Sequence, residues 1–417
     1  TGHPRPFPGA PAMIFPSIRR PRPRTRGAAS AAPAGVMTCL ALLGFLLLFA
    51  PPTPVRAQCQ QWIGGPFSAS YPGVNGVIYA SITWDPDGSG PRPELLVVGG
   101  SFTRVNGVDA ANIAAWDGVV WRPLGVGVVG TVRALAVYNG TLVAAGGLTQ
   151  VGGITTTYVG RWNDSYWQAM GAGMFGGTRI NALTVHNGQL YAGGDFNHYV
   201  RRWDNPGSTW VSLAESLNDD VYALASFGGY LYAGGRFTAG GFTNVPKLGR
   251  WDGSAWWGPG HGPDNSILAL CVINNVLYAG GDFNHIDFDY ALNHFVSWNG
   301  SAWGTVDCGT SCGLKGTVRC ITNFINQIHV GGDFWQGAIN GQARRVARLF
   351  DGYWYNVGSG IGPAAPASDA VYTLAVYHGE LIVGGSFSSP TQNLARWNGS
   401  SFADPIVPAT VRALAPF

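Results

Sequence analysis

The chain has 417 residues, of which only 11% are charged, and it contains 62 Gly, 16 Trp, 16 Tyr and 20 Phe. A chain so rich in aromatic residues and so poor in Glu and Lys is neither disordered nor helical, so its composition favours an all-β protein. The formal net charge of +3 comes from seven Arg residues in residues 1–57, whereas residues 58–417 carry 18 basic against 22 acidic residues, which gives no electrostatic case for a nucleic-acid partner.

The first predicted element is an export signal within residues 1–57. A Pro- and Arg-rich stretch precedes the apolar run of residues 39–50, and Pro residues then break any helix before the small-x-small pattern Val55-Arg56-Ala57. This run of about 12 residues is shorter than the roughly 20 that cross a bilayer, so we expect no stable membrane span. We expect cleavage after Ala57 and a secreted or cell-surface protein. An uncleaved N-terminal anchor stays open, and so does truncation, because the chain begins with Thr1.

A repeat fills residues 58–417, and each copy ends an apolar strand with Gly-Gly-x-Phe. The regular copies are Gly99-Gly100-Ser101-Phe102, Gly193-Gly194-Asp195-Phe196, Gly234-Gly235-Arg236-Phe237, Gly280-Gly281-Asp282-Phe283, Gly331-Gly332-Asp333-Phe334 and Gly384-Gly385-Ser386-Phe387, and a degenerate copy is Ala145-Gly146-Gly147-Leu148. The copies lie about 41 to 53 residues apart, which is the length of one four-stranded blade of a β-propeller. The sequence therefore predicts an all-β propeller.

Each repeat predicts four short strands. The first carries a Val-x-Ala-Leu motif whose third residue is small, as expected beside a crowded central axis: Ala80, Ala134, Ala182, Ala223, Ala269, Cys320 and Thr373. The second ends in the Gly pair, which permits close backbone approach and a bulge. The third and fourth carry aromatics that fill the widening gap between neighbouring sheets. These aromatics are Trp116, Trp162, Trp203, Trp251, Trp298, Phe350 and Trp397 on the third strands, and Trp121, Trp167, Trp210, Trp256, Trp303, Trp354 and Phe402 on the fourth.

The predicted connections fall on two faces. Tight turns such as Asn139-Gly140 join the first two strands of a repeat, and turns such as Asp252-Gly253 join the last two. The other two connections of each repeat vary in length and composition. Because alternate turns of an up-and-down sheet lie at opposite ends, one face carries every variable loop, and we expect the function there.

The repeat resembles a known family. Residues 371–399 read Val-Tyr-Thr-Leu-Ala-Val-Tyr, then Leu-Ile-Val-Gly-Gly-Ser-Phe, then Ala-Arg-Trp-Asn-Gly. This order resembles a kelch-type propeller repeat and is similar to the repeats of secreted bacterial propellers and of the fungal Rax2-like cell-polarity markers. The resemblance covers residues 60–417 and implies a propeller, while kelch-type propellers include adhesive, scaffolding and enzymatic members. We favour seven blades, and eight stay open because extra strand-like segments lie at residues 61–64 and 411–414.

The candidate ligand-binding residues lie on the predicted variable face. Asp195-Phe196-Asn197-His198 recurs as Asp282-Phe283-Asn284-His285, and the next copy reads Asp333-Phe334-Trp335. Asp and His together bind metals or move protons, and an exposed Trp such as Trp335 or Trp257 stacks on sugars. The candidates are Asp195, Asn197, His198, Asp282, Asn284, His285, Asp333 and Trp335. The alternative is that Asp and Asn cap loop turns and that His is incidental, and the sequence nominates no catalytic residue.

Calcium and disulfides are the remaining candidate features. Asp85 and Asp87 begin a segment like a calcium loop, but its twelfth position is Leu96 instead of Glu, so we expect a polar turn and no cofactor, with calcium as the alternative. Cys308 and Cys312 are predicted to form a disulfide within a Gly-rich loop. Cys271 and Cys320 lie on neighbouring inner strands but out of step, and Cys59 has no evident partner.

These patterns predict a secreted, monomeric, non-catalytic β-propeller that binds a protein or a glycan through its variable face. Two alternatives stay open. One is an extracellular polysaccharide hydrolase or lyase on a propeller scaffold, and the other is a structural module of a longer cell-surface protein. Carboxylates or His residues converging at a channel mouth would favour the enzyme, and a loop face with exposed aromatics would favour the binder.

Overall fold

The computed structural model describes residues 73–286, 290–291, 294–306, 313–335, 343–363 and 368–403, which all belong to the compact unit Phe67–Phe417. The predicted export signal with its cleavage at Ala57, the extra segments at residues 61–64 and 411–414, Cys59, and the Cys308–Cys312 pair lie outside these residues. Within them, no helix is long and apolar enough to span a bilayer.

The described residues form an all-β structure. Its strands are, in chain order, β1 (Val77–Trp84), β2 (Leu95–Ser101), β3 (Arg104–Val105), β4 (Val108–Asp109), β5 (Ile113–Trp116), β6 (Trp121–Pro123), β7 (Val128–Val129), β8 (Val132–Tyr138), β9 (Thr141–Gly146), β10 (Gln150–Val151), β11 (Ile154–Thr155), β12 (Val159–Trp162), β13 (Trp167–Ala169), β14 (Arg179–His186), β15 (Gln189–Asp195), β16 (Val200–Asp204), β17 (Thr209–Ser212), β18 (Val221–Phe227), β19 (Tyr230–Gly235), β20 (Ala239–Gly240), β21 (Thr243–Asn244), β22 (Leu248–Trp251), β23 (Trp256–Trp257), β24 (Ile267–Ile273), β25 (Val276–Gly281), β26 (His285–Ile286), β27 (Tyr290–Ala291), β28 (Phe295–Trp298), β29 (Trp303–Gly304), β30 (Val318–Phe324), β31 (Gln327–Gly332), β32 (Val346–Phe350), β33 (Tyr353–Asn356), β34 (Ala370–Tyr377), β35 (Glu380–Ser386), β36 (Leu394–Trp397) and β37 (Phe402–Ala403).

Each Gly-Gly-x-Phe copy belongs to one four-stranded antiparallel sheet. These sheets are sheet 1 (β1-β2-β5-β6), sheet 2 (β8-β9-β12-β13), sheet 3 (β14-β15-β16-β17), sheet 4 (β18-β19-β22-β23), sheet 5 (β24-β25-β28-β29), sheet 6 (β30-β31-β32-β33) and sheet 7 (β34-β35-β36-β37). The first strand of each sheet packs against the first strand of the next, and β34 also packs against β1. The chain therefore has the all-β, β-propeller architecture that its repeats predict.

Every first strand carries a β-bulge at the same place. In sheet 1 the register to the second strand shifts between Ile78 and Ala80, and the matching shift occurs in the other six sheets. The residue between the two is left without a pairing partner, and such bulges re-aim a side chain. We call these residues the bulge residues: Tyr79, Arg133, Asn181, Tyr222, Leu268, Arg319 and Tyr372.

The Gly pair of the second strand makes room for this bulge, as predicted. A Cβ atom on the second glycine would lie 1.9 to 2.4 Å from a carbonyl oxygen of the first strand or of the residue before it, in all seven sheets. A Cβ atom on the first glycine would meet a Val or Ile side chain of the next sheet, and Gly384 of sheet 7 would meet Ile78 of sheet 1 at 2.8 Å. The second glycine thus permits the bulge, and the first sets the spacing between sheets.

Aromatic pairs fill the outer part of six sheets. In sheets 1 to 5 and 7 the aromatics of the third and fourth strands have ring centroids 4.9 to 5.5 Å apart. Sheet 6 differs, because Leu349 pairs with Trp354 and Phe350 is exposed. The prediction that Phe350 is the buried aromatic is therefore wrong. Leu349 pairs with Ile328 and Trp354 as Trp397 pairs with Leu381 and Phe402, so a Leu replaces the aromatic at this position and Phe350 lies one residue beyond it.

The two faces differ as predicted in six sheets, but in sheet 1 the first two strands are joined by the long connection of residues 85–94 instead of a tight turn, so the variable connections are not all on one face. At one end, Asn139-Gly140 and its counterparts form turns with positive φ at both residues, which matches the twist of a β-hairpin. At the other end, the connection between second and third strands carries the short strand pairs β3-β4, β10-β11, β20-β21 and β26-β27. We call this end the loop face.

The tight turns give a pH-dependent prediction. The backbone N–H groups of Ser254 and Ala255 donate to Asp252, which lowers the pKa of that carboxyl. A carboxyl group whose pKa is lower in the folded state stabilises that state at pH values above its unfolded-state pKa. This contribution to stability is lost as the pH falls through the folded-state pKa. Asn299 accepts the same two hydrogen bonds in sheet 5. We therefore expect the Asp252→Asn variant to have the same thermal stability as the wild type at pH 7. Below about pH 4, thermal denaturation should show a smaller loss of stability in the variant. Equal losses would contradict this account.

Candidate functional site

The first strands of the seven sheets share cavities that their side chains line. A cavity of ≈ 250 Å³ is lined by residues from all seven first strands, among them the small third-position residues. It adjoins a cavity of ≈ 130 Å³ that is lined by the seven bulge residues and no others. We call the smaller cavity the channel mouth. The bulge residues follow the loop-face ends of their strands, so the mouth opens beside the variable loops.

Cations and aromatic rings form an arc across four sheets at the channel mouth. The guanidinium of Arg133 lies 4.9 Å from the ring centroid of Tyr79. The Tyr79 and Tyr372 rings are 5.0 Å apart, and the guanidinium of Arg319 lies 5.5 Å from the Tyr372 ring. Cation–π contacts of this kind hold each guanidinium against a ring face. The mouth thus has a wall of two Tyr rings flanked by two Arg residues.

The predicted residues Asp282 and Asp333 meet at one side of the mouth. Thr317 donates its hydroxyl to Asp282 at 2.7 Å and its backbone N–H to Asp333 at 2.8 Å. Arg319 donates to the other oxygen of Asp333 at 2.9 Å. The charge of Arg319 is therefore balanced locally, and two carboxylates from neighbouring sheets share one Thr residue.

Asp195 belongs to a separate charged cluster. Its carboxylate lies 4.0 Å from Arg179, which is also 3.9 Å from Asp220. Asp220 accepts a hydrogen bond from Tyr222 at 3.1 Å and lies 3.5 Å from Arg236. Here the predicted residue meets partners that the sequence did not single out.

The two Asn-His pairs are not brought together. His198 hydrogen-bonds the Ser216 hydroxyl at 2.6 Å, whereas His285 lies 3.3 Å from the carboxylate of Asp264. The backbone N–H of Asn284 also donates to Asp264. His198 of sheet 3 therefore contacts the loop that leads into sheet 4, whereas His285 of sheet 5 contacts the loop that leads into its own sheet. In the described part of the chain, no group of three or more His, Cys, Asp or Glu residues is placed to hold a metal ion.

The other candidates lie apart from the channel mouth. Asn197 donates its backbone N–H to Phe175, and Trp335 is 36% exposed on the loop face. Asp85 accepts the backbone N–H of Asp87, which in turn pairs with Arg92, an arrangement that fits the polar-turn interpretation.

Trp257 lies at the opposite end from the loop face. It follows the tight turn of sheet 4, is 49% exposed, and donates its indole N–H to Asp252 at 2.6 Å. With Arg250 and Trp298 it lines a cleft of ≈ 190 Å³ between sheets 4 and 5. Trp257 and Trp335 therefore cannot act on one face as a single sugar-stacking surface.

The cysteines of the inner strands are free thiols, in line with the sequence. Neither Cys271 nor Cys320 is in a disulfide. Burial raises the pKa of the Cys271 thiol to about 11 and that of Cys320 further above its usual range. Because the thiolate is the reactive form, we expect iodoacetamide at pH 7.5 to leave both unmodified in the folded protein and to modify both in guanidinium, as measured by peptide mapping. Rapid alkylation of either in the folded protein would contradict this prediction.

None of the bulge residues was predicted from the sequence to belong to a site. The available signal is positional: the flanking residues of the first-strand motif are uniform, whereas its second position holds Tyr, Arg, Asn or Leu. A position that varies inside a uniform motif is free of the packing constraint that fixes its neighbours. A side chain that faces the channel is not held by that packing constraint, so its type can vary in this way.

No protein-family model matches the chain, and no curated protein matches it in sequence. Among solved structures, it is similar to the computationally designed Ika8 protein, with 14% identity, 80% of this chain and 89% of that chain covered, and a TM-score of 0.46. It is also similar to the WD40 beta propeller domain of Doa1, with 12% identity, 79% of this chain and 95% of that chain covered, and a TM-score of 0.49. Both likenesses are too distant to carry an argument about function.

Proposed function

We propose that residues 58–417 are a secreted, non-catalytic, kelch-type β-propeller that binds a protein or glycan partner through its loop face. The observation that carries this proposal is the channel mouth, where one side chain from each of seven strands converges. Concave sites with a few convergent polar and aromatic groups are typical of ligand binding. The leader-like residues 1–57 support export.

We further propose that the seven sheets are the blades of one closed ring. Contacts between the first and last sheets support closure: the Ser81 and Thr373 hydroxyls are 2.8 Å apart, and Tyr377 donates its hydroxyl to the Glu94 carbonyl at 3.1 Å. Asn393 also donates to the Val74 carbonyl at 2.8 Å. A closed ring leaves only short, protected strand edges.

A glycan array probed with the purified protein, with calcium and with a chelator, tests the binding function. We expect retained ligand, no cleaved product, and the same signal with chelator. An array of surface proteins serves as the second arm. The absence of binding by the folded protein on both arrays would overturn the proposal. Loss of binding in the presence of chelator would support the alternative that Asp85 and Asp87 bind calcium.

One observation favours a second candidate, an extracellular polysaccharide hydrolase or lyase. Asp282 and Asp333 both bond to Thr317 beside the channel mouth, and paired carboxylates are the acid and base of glycoside hydrolysis. Mass spectrometry of the glycans after incubation scores cleavage. Product formation that is abolished in Asp282→Asn or Asp333→Asn, and kept in Asp204→Asn, would replace the non-catalytic proposal.

A further inference from the structure

We infer that the channel mouth binds a small carboxylate, either free or as the terminal group of an acidic sugar, with Arg133 as its main anchor. This inference rests on the proposed function and names the ligand class of that site. A guanidinium that is removed from water is costly unless an anion or hydrogen-bond acceptors compensate it.

Arg133 lacks such an anion. Within the described residues, no ion pair joins Arg133 to a carboxylate, and its partner is the face of the Tyr79 ring. Burial and the nearby charge of Arg179 lower the pKa of Arg133. By contrast, Arg319 has Asp333 at 2.9 Å and Arg236 has Asp219 at 2.9 Å.

Arg179, whose charge acts on Arg133, differs from it in having carboxylates nearby. Its guanidinium nitrogens are 4.0 Å from Asp195 and 3.9 Å from Asp220, at the outer limit of an ion pair. Asp220 is shared with Arg236 at 3.5 Å. Among the described residues on this side of the mouth, Arg133 is therefore the guanidinium without a carboxylate at ion-pair distance.

The size and the surrounding charges select a carboxylate. At ≈ 130 Å³ the mouth is smaller than the roughly 300 Å³ of a cavity for a drug-sized ligand, so only a terminal group enters it. A carboxylate matches the planar fork of an Arg guanidinium. A doubly charged phosphate would face Asp195, Asp282 and Asp333 around the same rim. The Tyr79 and Tyr372 rings then provide the surface for an attached sugar ring.

Isothermal titration with sodium glucuronate, and with glucose as the uncharged control, tests this inference. A glucuronate-terminated oligosaccharide and acetate form the other arms, which distinguish a sugar-borne from a free carboxylate. We expect glucuronate to bind at least ten-fold more tightly than glucose, and the affinity to fall as NaCl is raised. Equal affinities, or no saturable binding by folded wild-type protein, would overturn the inference.

Substitutions assign the binding to Arg133. We expect Arg133→Gln to weaken glucuronate binding at least ten-fold and Arg133→Lys, which keeps charge without the fork, to weaken it less. Arg122→Gln is the matched control, because Arg122 is exposed and paired with Asp117 far from the channel. Thermal denaturation verifies that each variant is folded. Unchanged glucuronate affinity in folded Arg133→Gln would overturn the inference, while retained array binding in that variant would leave the proposed function standing.

Discussion

Replacing Gly146 by Ala is expected to lower the free energy of unfolding by more than about 3 kcal/mol. A Cβ atom at Gly146 would lie 1.9 Å from the Thr131 carbonyl oxygen and 2.9 Å from the Arg133 backbone nitrogen. Both are backbone atoms beside the bulge, so no side-chain rotation relieves the overlap. The strand must separate or the bulge must be lost, which would also displace Arg133 from the channel mouth. Guanidinium denaturation measures the change.

The adjacent residue provides the control. A Cβ atom at Gly147 would lie 3.7 Å from its nearest neighbour, the Thr178 carbonyl oxygen, which is an ordinary contact. The matching position holds Ser, Asp or Arg in the other sheets. We therefore expect Gly147→Ala to be neutral or to stabilise by about 0.4–1 kcal/mol through the unfolded state. Similar losses in Gly146→Ala and Gly147→Ala would refute the role given to the second glycine.

Replacing Trp256 by Ala is the second substitution with a large expected effect, a loss of about 3–5 kcal/mol. Trp256 is fully buried, packs against Trp251 with ring centroids 5.5 Å apart, and donates its indole N–H to the Glu215 carbonyl at 3.2 Å. Its ring also fills the space that Gly240 and Gly249 leave open. Removing it leaves a cavity between sheets and an unpaired carbonyl.

Trp257 is the natural control, because the same substitution one residue later removes a half-exposed ring. We expect Trp257→Ala to change the free energy of unfolding by no more than about 0.5–1 kcal/mol. Thermal and guanidinium denaturation of both variants should therefore separate them clearly. A Trp257→Ala variant as unstable as Trp256→Ala would contradict the distinction between the buried ring, which packs between sheets 3 and 4, and the half-exposed one.

The repeat made the strand order predictable, because local pattern fixes each sheet. The Gly pair, the small third residue and the two aromatics recur with similar spacing. Each of these residue types is required by one packing constraint. Phe350 shows where this reasoning fails. Leu349 takes the place opposite Trp354 that an aromatic holds in the other sheets, with the same pairing as Trp251 and Trp256, and Phe350 lies one residue beyond it. The pairing register decides which residue faces the core, and the nearest aromatic residue in the sequence does not reveal it.

The candidate site was less predictable, because it depends on residues far apart in the chain. Asp282 and Asp333 were identified from their motif, but their shared contact with Thr317 is a product of two sheets packing together. His198 and His285 look alike in the sequence, yet one meets Ser216 and the other Asp264. Motif similarity predicted equivalent positions and not equivalent partners.

The sequence by itself determined the all-β class, the number of strands in a repeat, the Gly pair with its bulge, and the division into tight and variable connections. Each of these follows from steric and turn preferences within a few residues. Only the tertiary structure decided that Tyr79, Arg133, Arg319 and Tyr372 share one channel mouth and that no carboxylate among the described residues forms an ion pair with Arg133. The reason is that seven bulges point toward a common axis only once the sheets have packed around it.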